Sequence, residues 1–303
     1  MDDILRLEHI YQYNEWLGYD TLHPLVSIVD FSKCKRVEHR RQYYGFYAIF
    51  LKDVKCGDIH YGRQYYDYQE GTLVFLAPGQ IIEISGNQGS QDNTFQPKGQ
   101  ALVFHPDLIK GTPLARSMKD YTFFSYESNE ALHLSEQERH VILDCFRNIE
   151  AELSHGIDKH SKMLIASNIE LLLNYCLRFY DRQFITRENV NIDILSKFEH
   201  LVNDYYQSDK PLINGLLTVS YCADQLHLSA NYFGDLIKKE TGKNAQEYIQ
   251  GKLMDVAKEK IFDTSKTISE IAYELGFQYP QHFTRLFKRY VGNTPTAYRH
   301  YKV

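Results

Sequence analysis

The sequence predicts an α+β protein. Its N-terminal part reads as a sandwich or barrel of short strands with flanking helices, and its C-terminal part as an all-α domain built on two helix-turn-helix motifs. Three observations carry this. Residues 1 to about 128 hold β-branched and aromatic runs bounded by breakers, whereas apolar residues after Glu130 recur at helical spacing. The stretch 268–299, ISEIAYELGFQYPQHFTRLFKRYVGNTPTAYR, divides into two short helices about a glycine. The same frame recurs about fifty residues upstream.

In chain order, the runs YYGFYAIFL (43–51) and GTLVFL (71–76) predict strands, bounded by Pro78-Gly79 and by the polar loop 86–99. Tyr43, Tyr44, Tyr47, Tyr61, Tyr65, Tyr66 and Tyr68 crowd this region. Such rings serve either as sheet core or as stacking faces for a small ligand, and no individual ligand-binding residue can be named. Ser135 and Glu138 form a capping-box pair ahead of Val141, Ile142, Cys145, Phe146 and Ile149. A helix over 159–180 carries Leu164, Ile165, Ile169, Leu171, Leu172, Leu173, Cys176 and Leu177 around most of its axis. A helix apolar on both faces needs two partners, and the second is either another subunit or this monomer's own core. The polar segment 181–191 lacks periodicity and reads as a hinge. The expected domains are therefore 1–186 (helical part 130–186), a linker at 187–196, and 197–303.

A chain of 303 residues with 43% hydrophobic and 24% charged residues is a globular protein of two domains. Its net charge of −5 argues against a nonspecific polyanion binder. The charge is unevenly placed: 195–303 holds 14 Lys and Arg against 12 Asp and Glu, a balance of +2 that leaves −7 for the rest. From 280 to 303 there are Arg285, Lys288, Arg289, Arg299 and Lys302 and no acidic residue, a local positive face on an acidic protein. Five scattered cysteines without CxxC spacing read as buried apolar residues in a reducing compartment. With no signal-like N-terminus and no long apolar stretch, the expected location is cytoplasmic, away from membranes.

The second motif starts at Thr267, three residues before Glu270, and buries Ile271, Ala272 and Leu275 before Gly276 stops its first helix. Pro280 opens the next helix, whose buried stripe is Phe283, Leu286 and Phe287. Taken alone this is also the pattern of an ordinary helical hairpin with a basic face. The repeat decides between them. Phe233, Leu236, Ile237, Lys238, Lys239, Gly242 and Tyr248 stand in register with Phe283, Leu286, Phe287, Lys288, Arg289, Gly292 and Tyr298, with one residue less in the upstream turn. The upstream reader is expected at 230–240 with Ser229 as N-cap, after a first helix through Phe198, Leu201 and Tyr205 and a loop SDKPLING, and a connector helix is expected at 246–262.

Two such units, the second carrying Gly276, Phe277, Phe283, Arg285, Phe287, Lys288, Gly292, Pro295, Tyr298 and Arg299, resemble the AraC/XylS family of bacterial transcription regulators, strongly over 197–303 and more loosely upstream. The resemblance implies a cupin-like N-terminal barrel, to which the run GTLVFLAPGQIIEI is similar, and dimerisation through the helices after it. It implies double-stranded DNA, a second copy of the chain, RNA polymerase and a small effector as partners. Carried over residue by residue, Gln281, His282 and Arg285 face bases in the second reader, with Thr284, Lys288 and Arg289 placed for phosphates. In the first reader Asn231, Gly234 and Asp235 take the base-facing positions, backed by Lys238 and Lys239; Gly234 reads nothing and Asp235 can only accept. Lys252 stands where the family usually has Arg, which weakens any buried ion pair there.

The competing reading is a ligand-binding or enzymatic barrel with a helical protein-interaction module. A metal-dependent barrel needs a His-x-His pair and a nearby carboxylate, and His23, His39, His60 and His105 are isolated. No nucleophile elbow, phosphate loop or dinucleotide fingerprint occurs, so neither a metal nor another cofactor is expected, and no catalytic residue is assigned.

Overall fold

The apolar run 43–51 is two strands that belong to different sheets. A computed structural model of the chain describes residues 4–38, 41–52, 71–83, 94–95, 98–126, 130–186 and 188–301. Tyr61, Tyr65, Tyr66, Tyr68, His39, His60, Cys56 and Lys302, and most of the 86–99 loop, lie outside the described residues. The chain forms two units, Met1–Thr186 and Arg187–Val303.

The first unit runs β1 (Leu5–Leu7), α1 (Ile10–Leu17), β2 (Val26–Asp30), β3 (Val37–Glu38), β4 (Arg41–Tyr44), β5 (Tyr47–Lys52), β6 (Thr72–Leu76), β7 (Ile81–Glu83), β8 (Thr94–Phe95), β9 (Gln100–Phe104), α2 (Pro106–Ile109), α3 (Pro113–Ser117), β10 (Leu132–His133), α4 (Glu136–Ser154) and α5 (Ser161–Thr186). β4 pairs in parallel with β1 and antiparallel with β7. β5 lies between β6 and β9 in a five-stranded sheet of order β10-β6-β5-β9-β2, and β3 pairs with β8. The switch between sheets falls at Gly45. Its N–H donates to the Leu7 carbonyl at 2.8 Å, and a β-carbon there would stand 2.9 Å from the Cα of Glu8. Only glycine lets the two backbones come this near.

Leu7, Tyr44, Phe46, Val29, Ala48, Phe50, Leu76, Ala101 and Val103 form one core shared by the three-stranded and five-stranded sheets. The alternate residues of the larger sheet (Ile49, Leu51, Leu73, Phe75, Leu102 and Phe104) are also buried, and Phe75 meets Phe123 at 4.4 Å and Tyr180 of α5 at 6.2 Å between ring centres. Burial on both faces explains why these strands read as unbroken apolar runs. Each such side chain contributes about 1.5–3 kcal/mol. Among the described residues the strands do not close into a barrel; what stands is an α+β unit of separate sheets sharing a core. The tyrosines expected to cluster are divided by the pleat. Tyr44 enters the core, Tyr43 lies under the Arg6 guanidinium at 5.3 Å, and Tyr47 stacks on Phe104 at 5.0 Å on the opposite side.

Ser135 and Glu138 make the expected reciprocal cap at the start of α4. α5 ends by gripping β10: Arg182 pairs with Glu138 at 2.7 Å and donates to the His133 carbonyl at 2.6 Å, while Gln183 accepts from His133 N–H at 2.8 Å and donates to the Ala131 carbonyl at 3.2 Å. Burial pushes the thiols of Cys34 and Cys145 up to about 11 and that of Cys222 up to about 12, and Cys145, Cys176 and Cys222 form no disulfide among the described residues.

The second unit holds α6 (Glu188–Gln207), α7 (Lys210–Asn214), α8 (Val219–Gln225), α9 (Ala230–Thr241), α10 (Ala245–Lys260), α11 (Ile268–Glu274), α12 (Pro280–Val291) and α13 (Pro295–Tyr301). Two expectations are corrected. The segment 187–196 is not an irregular linker, because α6 already begins at Glu188, and the loop 208–215 contains the short helix α7 with Pro211 buried. No helix among the described residues is long and apolar enough to cross a membrane.

Candidate nucleic-acid interface

α8 with α9, and α11 with α12, are the two helix pairs, and one backbone bond closes the turn in each. Leu228 N–H donates to the Ala223 carbonyl, and Phe277 N–H to the Ala272 carbonyl, both at 3.0 Å. His227 (φ +56) and Gly276 (φ +90) thus take the same left-handed position. That equivalence was not visible in the sequence, because only one of the two is glycine. α9 starts on Ser229, whose hydroxyl accepts from Tyr232 N–H at 3.2 Å, and ends on Gly242; α12 starts with Pro280 in its first turn and ends on Gly292. Each reader is 12 residues long.

Tyr232, Phe233, Leu236 and Ile237 bury one face of α9, and Phe283 and Phe287 that of α12, with Leu286 half-buried. Phe198 of α6 meets Phe233 at 5.0 Å and Tyr248 at 5.2 Å; in the second repeat Phe287 meets Tyr298 at 5.5 Å. These packed rings fix which face of each reader points outward. That face carries Asn231, Lys238 and Lys239 exposed and Gly234 and Asp235 half-buried on α9. On α12 it carries Gln281, His282, Arg285, Lys288 and Arg289 exposed, with Thr284 half-buried. Residues four apart stand one above the other on a helix, so Asn231 lines up with Asp235 and Gln281 with Arg285. Lys238, Lys239, Lys288 and Arg289 all fall in last turns, where cations also complement the helix dipole.

Three side chains bear on this set. The Thr284 hydroxyl donates back to the Pro280 carbonyl at 3.1 Å, so towards a phosphate it has only acceptor capacity left. Arg299 donates from Nε to the Ile261 carbonyl at 2.6 Å and from Nη2 to the Asp263 carbonyl at 3.3 Å, which engages its guanidinium at the end of α10 rather than on the positive face. Tyr279, absent from the sequence-based set, is 57% exposed directly ahead of α12. The only sequence signal for it was a missing one, since no Ser, Thr, Asp or Asn stands at that N-cap. Lys252 places its ammonium 6.0 Å from the Tyr248 ring and makes no ion pair among the described residues. No cluster of His, Cys, Asp or Glu able to hold a metal occurs among them either.

Two helix pairs with matched turns and outward polar, basic stripes define a tandem helix-turn-helix DNA-binding protein. A family profile described as a helix-turn-helix domain matches residues 222–301. The chain is 33% identical over 147 residues to the transposon Tn10 TetD protein of Escherichia coli, covering 48% of this chain and 94% of that protein. It is 23% identical over 259 residues to the HTH-type transcriptional regulator YobQ of Bacillus subtilis, covering 82% of this chain and 95% of that one. Among solved structures it is similar to the C-terminal domain of the two-component response regulator yesN from Fusobacterium nucleatum, with 28% identity, 35% of this chain and 98% of that chain covered, and a TM-score of 0.32. The chain belongs to the AraC/XylS family of bacterial transcription regulators, and it is a DNA-binding transcription regulator.

Proposed function

We propose that the chain reads DNA with α9 and α12 in successive major grooves and that α12 dominates the readout. The observation that carries this is a charge reversal at matched positions: half-buried Asp235 stands on α9 where exposed Arg285 stands on α12. Arg can bond bidentately to guanine, whereas Asp only accepts, for instance from a cytosine amine, and repels nearby phosphates. Adjacent major grooves on one face are about 34 Å apart, and the 16 residues of α10 span about 24 Å, a length that suits a spacer between the readers. The test is selection of genomic fragments by the purified chain at physiological salt, followed by substitution. Arg285→Ala should cost about 1–3 kcal/mol of binding and relax one base position. Loss of specific binding on Asp235→Ala, with Arg285→Ala silent, reverses the assignment of the two readers.

The first unit, in this reading, is a cupin-like sensor and dimerisation module that controls how the readers meet their half-sites and RNA polymerase. Two features support it. Gln42 is fully buried and accepts from the Tyr44 hydroxyl at 2.7 Å, yet its Nε2 has no partner among the described residues, a donor left over inside the core beside Tyr44. Buried donors are nearly always satisfied, so one left open is a place for a ligand's acceptor atom. Met163, Leu164 and Leu171 remain about half exposed on one side of α5, opposite its buried Ile165, Ile169, Leu172 and Leu173. A dimer formed there would sediment at twice the monomer mass at micromolar concentration, and Leu171→Glu would return it to monomer; a wild-type chain that sediments as a monomer removes the seam.

A further inference from the structure

The two readers differ in how they begin. On α9 the N-cap side chain, Ser229, turns in and accepts from the helix. On α12 the N-cap residue is Tyr279 (φ −130°, ψ 117°), whose side chain makes no cap bond. The first turn closes instead by His282 N–H on the Tyr279 carbonyl at 3.0 Å, which leaves the Tyr279 side chain uninvolved in the helix. It projects outward, 57% exposed, and its hydroxyl has no partner among the described residues. Its ring does have one. It meets the ring of exposed His282 edge to face, 5.5 Å between centres at 64°.

Resting on the reading of α12 as a DNA reader, we infer that Tyr279 is an additional DNA-contacting residue. Its ring fixes the rotamer of His282 against the bases, and its hydroxyl donates to a backbone phosphate. The leading end of a recognition helix is the part that enters the major groove, so a side chain immediately ahead of the first turn meets the groove wall, where the phosphates lie. An aromatic pair of this geometry holds its partner's orientation, and a Tyr has only two side-chain torsions to order. The hydroxyl is also a neutral donor of the kind that commonly contacts phosphate oxygens. The other exposed tyrosine of this helix, Tyr290, contrasts with it, because its hydroxyl approaches Gln250 Oε1 of α10 at 3.3 Å and is held within the fold.

The experiment uses the full chain and a DNA site that it selects, with Tyr279→Phe, Tyr279→Ala, His282→Ala and the double variant Tyr279→Ala/His282→Ala. Circular dichroism and thermal melting check that each is folded, and both side chains are exposed. Tyr279→Phe keeps the ring pair and loses the hydroxyl. It should lower affinity about three- to tenfold, equally on matched and mismatched sites, with an unchanged salt slope because no charge is removed. Tyr279→Ala should add a loss of discrimination of about tenfold at the single base pair that His282→Ala also relaxes, and the double variant should discriminate no worse than either. If Tyr279→Phe binds as the wild type does, the phosphate contact is overturned. If Tyr279→Ala leaves discrimination intact, or if the losses of the two alanine variants add, the positioning role is overturned. Failure of the wild-type chain to select any sequence is a separate outcome that removes the functional reading itself.

Discussion

Gly276 approaches Gly215 so closely that a β-carbon at position 276 would stand 2.6 Å from both the carbonyl carbon and oxygen of Gly215. The same Gly215 oxygen accepts the Tyr205 hydroxyl at 2.9 Å. One carbonyl thus connects α6, the end of α7 and the turn of the second helix pair. Gly276 is held there twice, by its φ of +90° and by contact with backbone that cannot rotate away.

Gly276→Ala should therefore cost roughly 3 kcal/mol, more than a left-handed residue alone would. His227 supplies the comparison, since it occupies the equivalent turn position at φ +56° with a full side chain. His227→Gly should change stability by less than about 1 kcal/mol. Denaturant unfolding of both variants measures the difference, and equal effects at the two sites would show that the approach to Gly215 carries no weight.

Gly234→Ala should raise stability by about 0.5–1 kcal/mol. Gly234 lies inside α9 with ordinary helical backbone, and an added β-carbon there meets nothing within 4 Å. Mid-helix glycine is less favourable than alanine by about that amount. A drop in melting temperature would reveal contacts that the open space does not show. The same variant tests whether a methyl group on the reading face of α9 alters site preference.

The acid limb of stability should run in part through Glu274. The Lys266 ammonium at 2.6 Å, together with Lys260 at 3.3 Å, holds its carboxyl below the usual carboxylate range. A lowered folded-state value means that the contribution is fully present above the ordinary carboxylate pKa and is lost as pH falls through the folded one. Glu274→Gln should thus destabilise by about 0.5–1 kcal/mol near pH 7, and the two proteins should converge as pH falls below the ordinary carboxylate range and through the lowered folded-state value. A gap that persists into acid would assign the effect to packing rather than charge.

Arg299 and Lys288 should separate in their effects. Arg299→Ala removes donors to the Ile261 and Asp263 carbonyls and should cost about 1–2 kcal/mol of folding stability, with the salt slope of DNA binding unchanged. Lys288→Ala should leave stability alone and reduce that slope by about 1. Melting curves and binding titrations across a salt series distinguish the two.

What was legible in the sequence was mostly local. Ser135 with Glu138 and Thr267 with Glu270 are pairs three residues apart, so the capping boxes that start α4 and α11 needed no tertiary knowledge. The repeat from Phe233 and Phe283 located both readers because the same packing frame was written twice. The segment 187–196 failed for the opposite reason. Its start is polar, yet Asn191 is buried with its amide donating to Glu240 of α9 at 2.9 Å, a contact nearly fifty residues away. A helix whose inward side includes a buried asparagine shows no apolar period. The sheet switch at Gly45 and the division of Tyr43, Tyr44 and Tyr47 between faces depend likewise on which strands pair, and the nearness of Gly215 to Gly276 depends on how α7 packs against α11. At the interface, the sequence named the polar stripe but counted Arg299 into the positive face and passed over Tyr279.

The matched turns of the two helix pairs have a consequence for the architecture of a target. The readers are alike in fold and unlike in the letters they present: Asn231, Gly234 and Asp235 on one, Gln281, Thr284 and Arg285 on the other. A symmetric dimer built from identical readers sees the same site from either strand. Two dissimilar readers in fixed order along one chain give the bound DNA a head and a tail. In the proposed reading, the half-site taken by one chain therefore has a polarity, and inverting it turns that chain's pair of readers to face the other way.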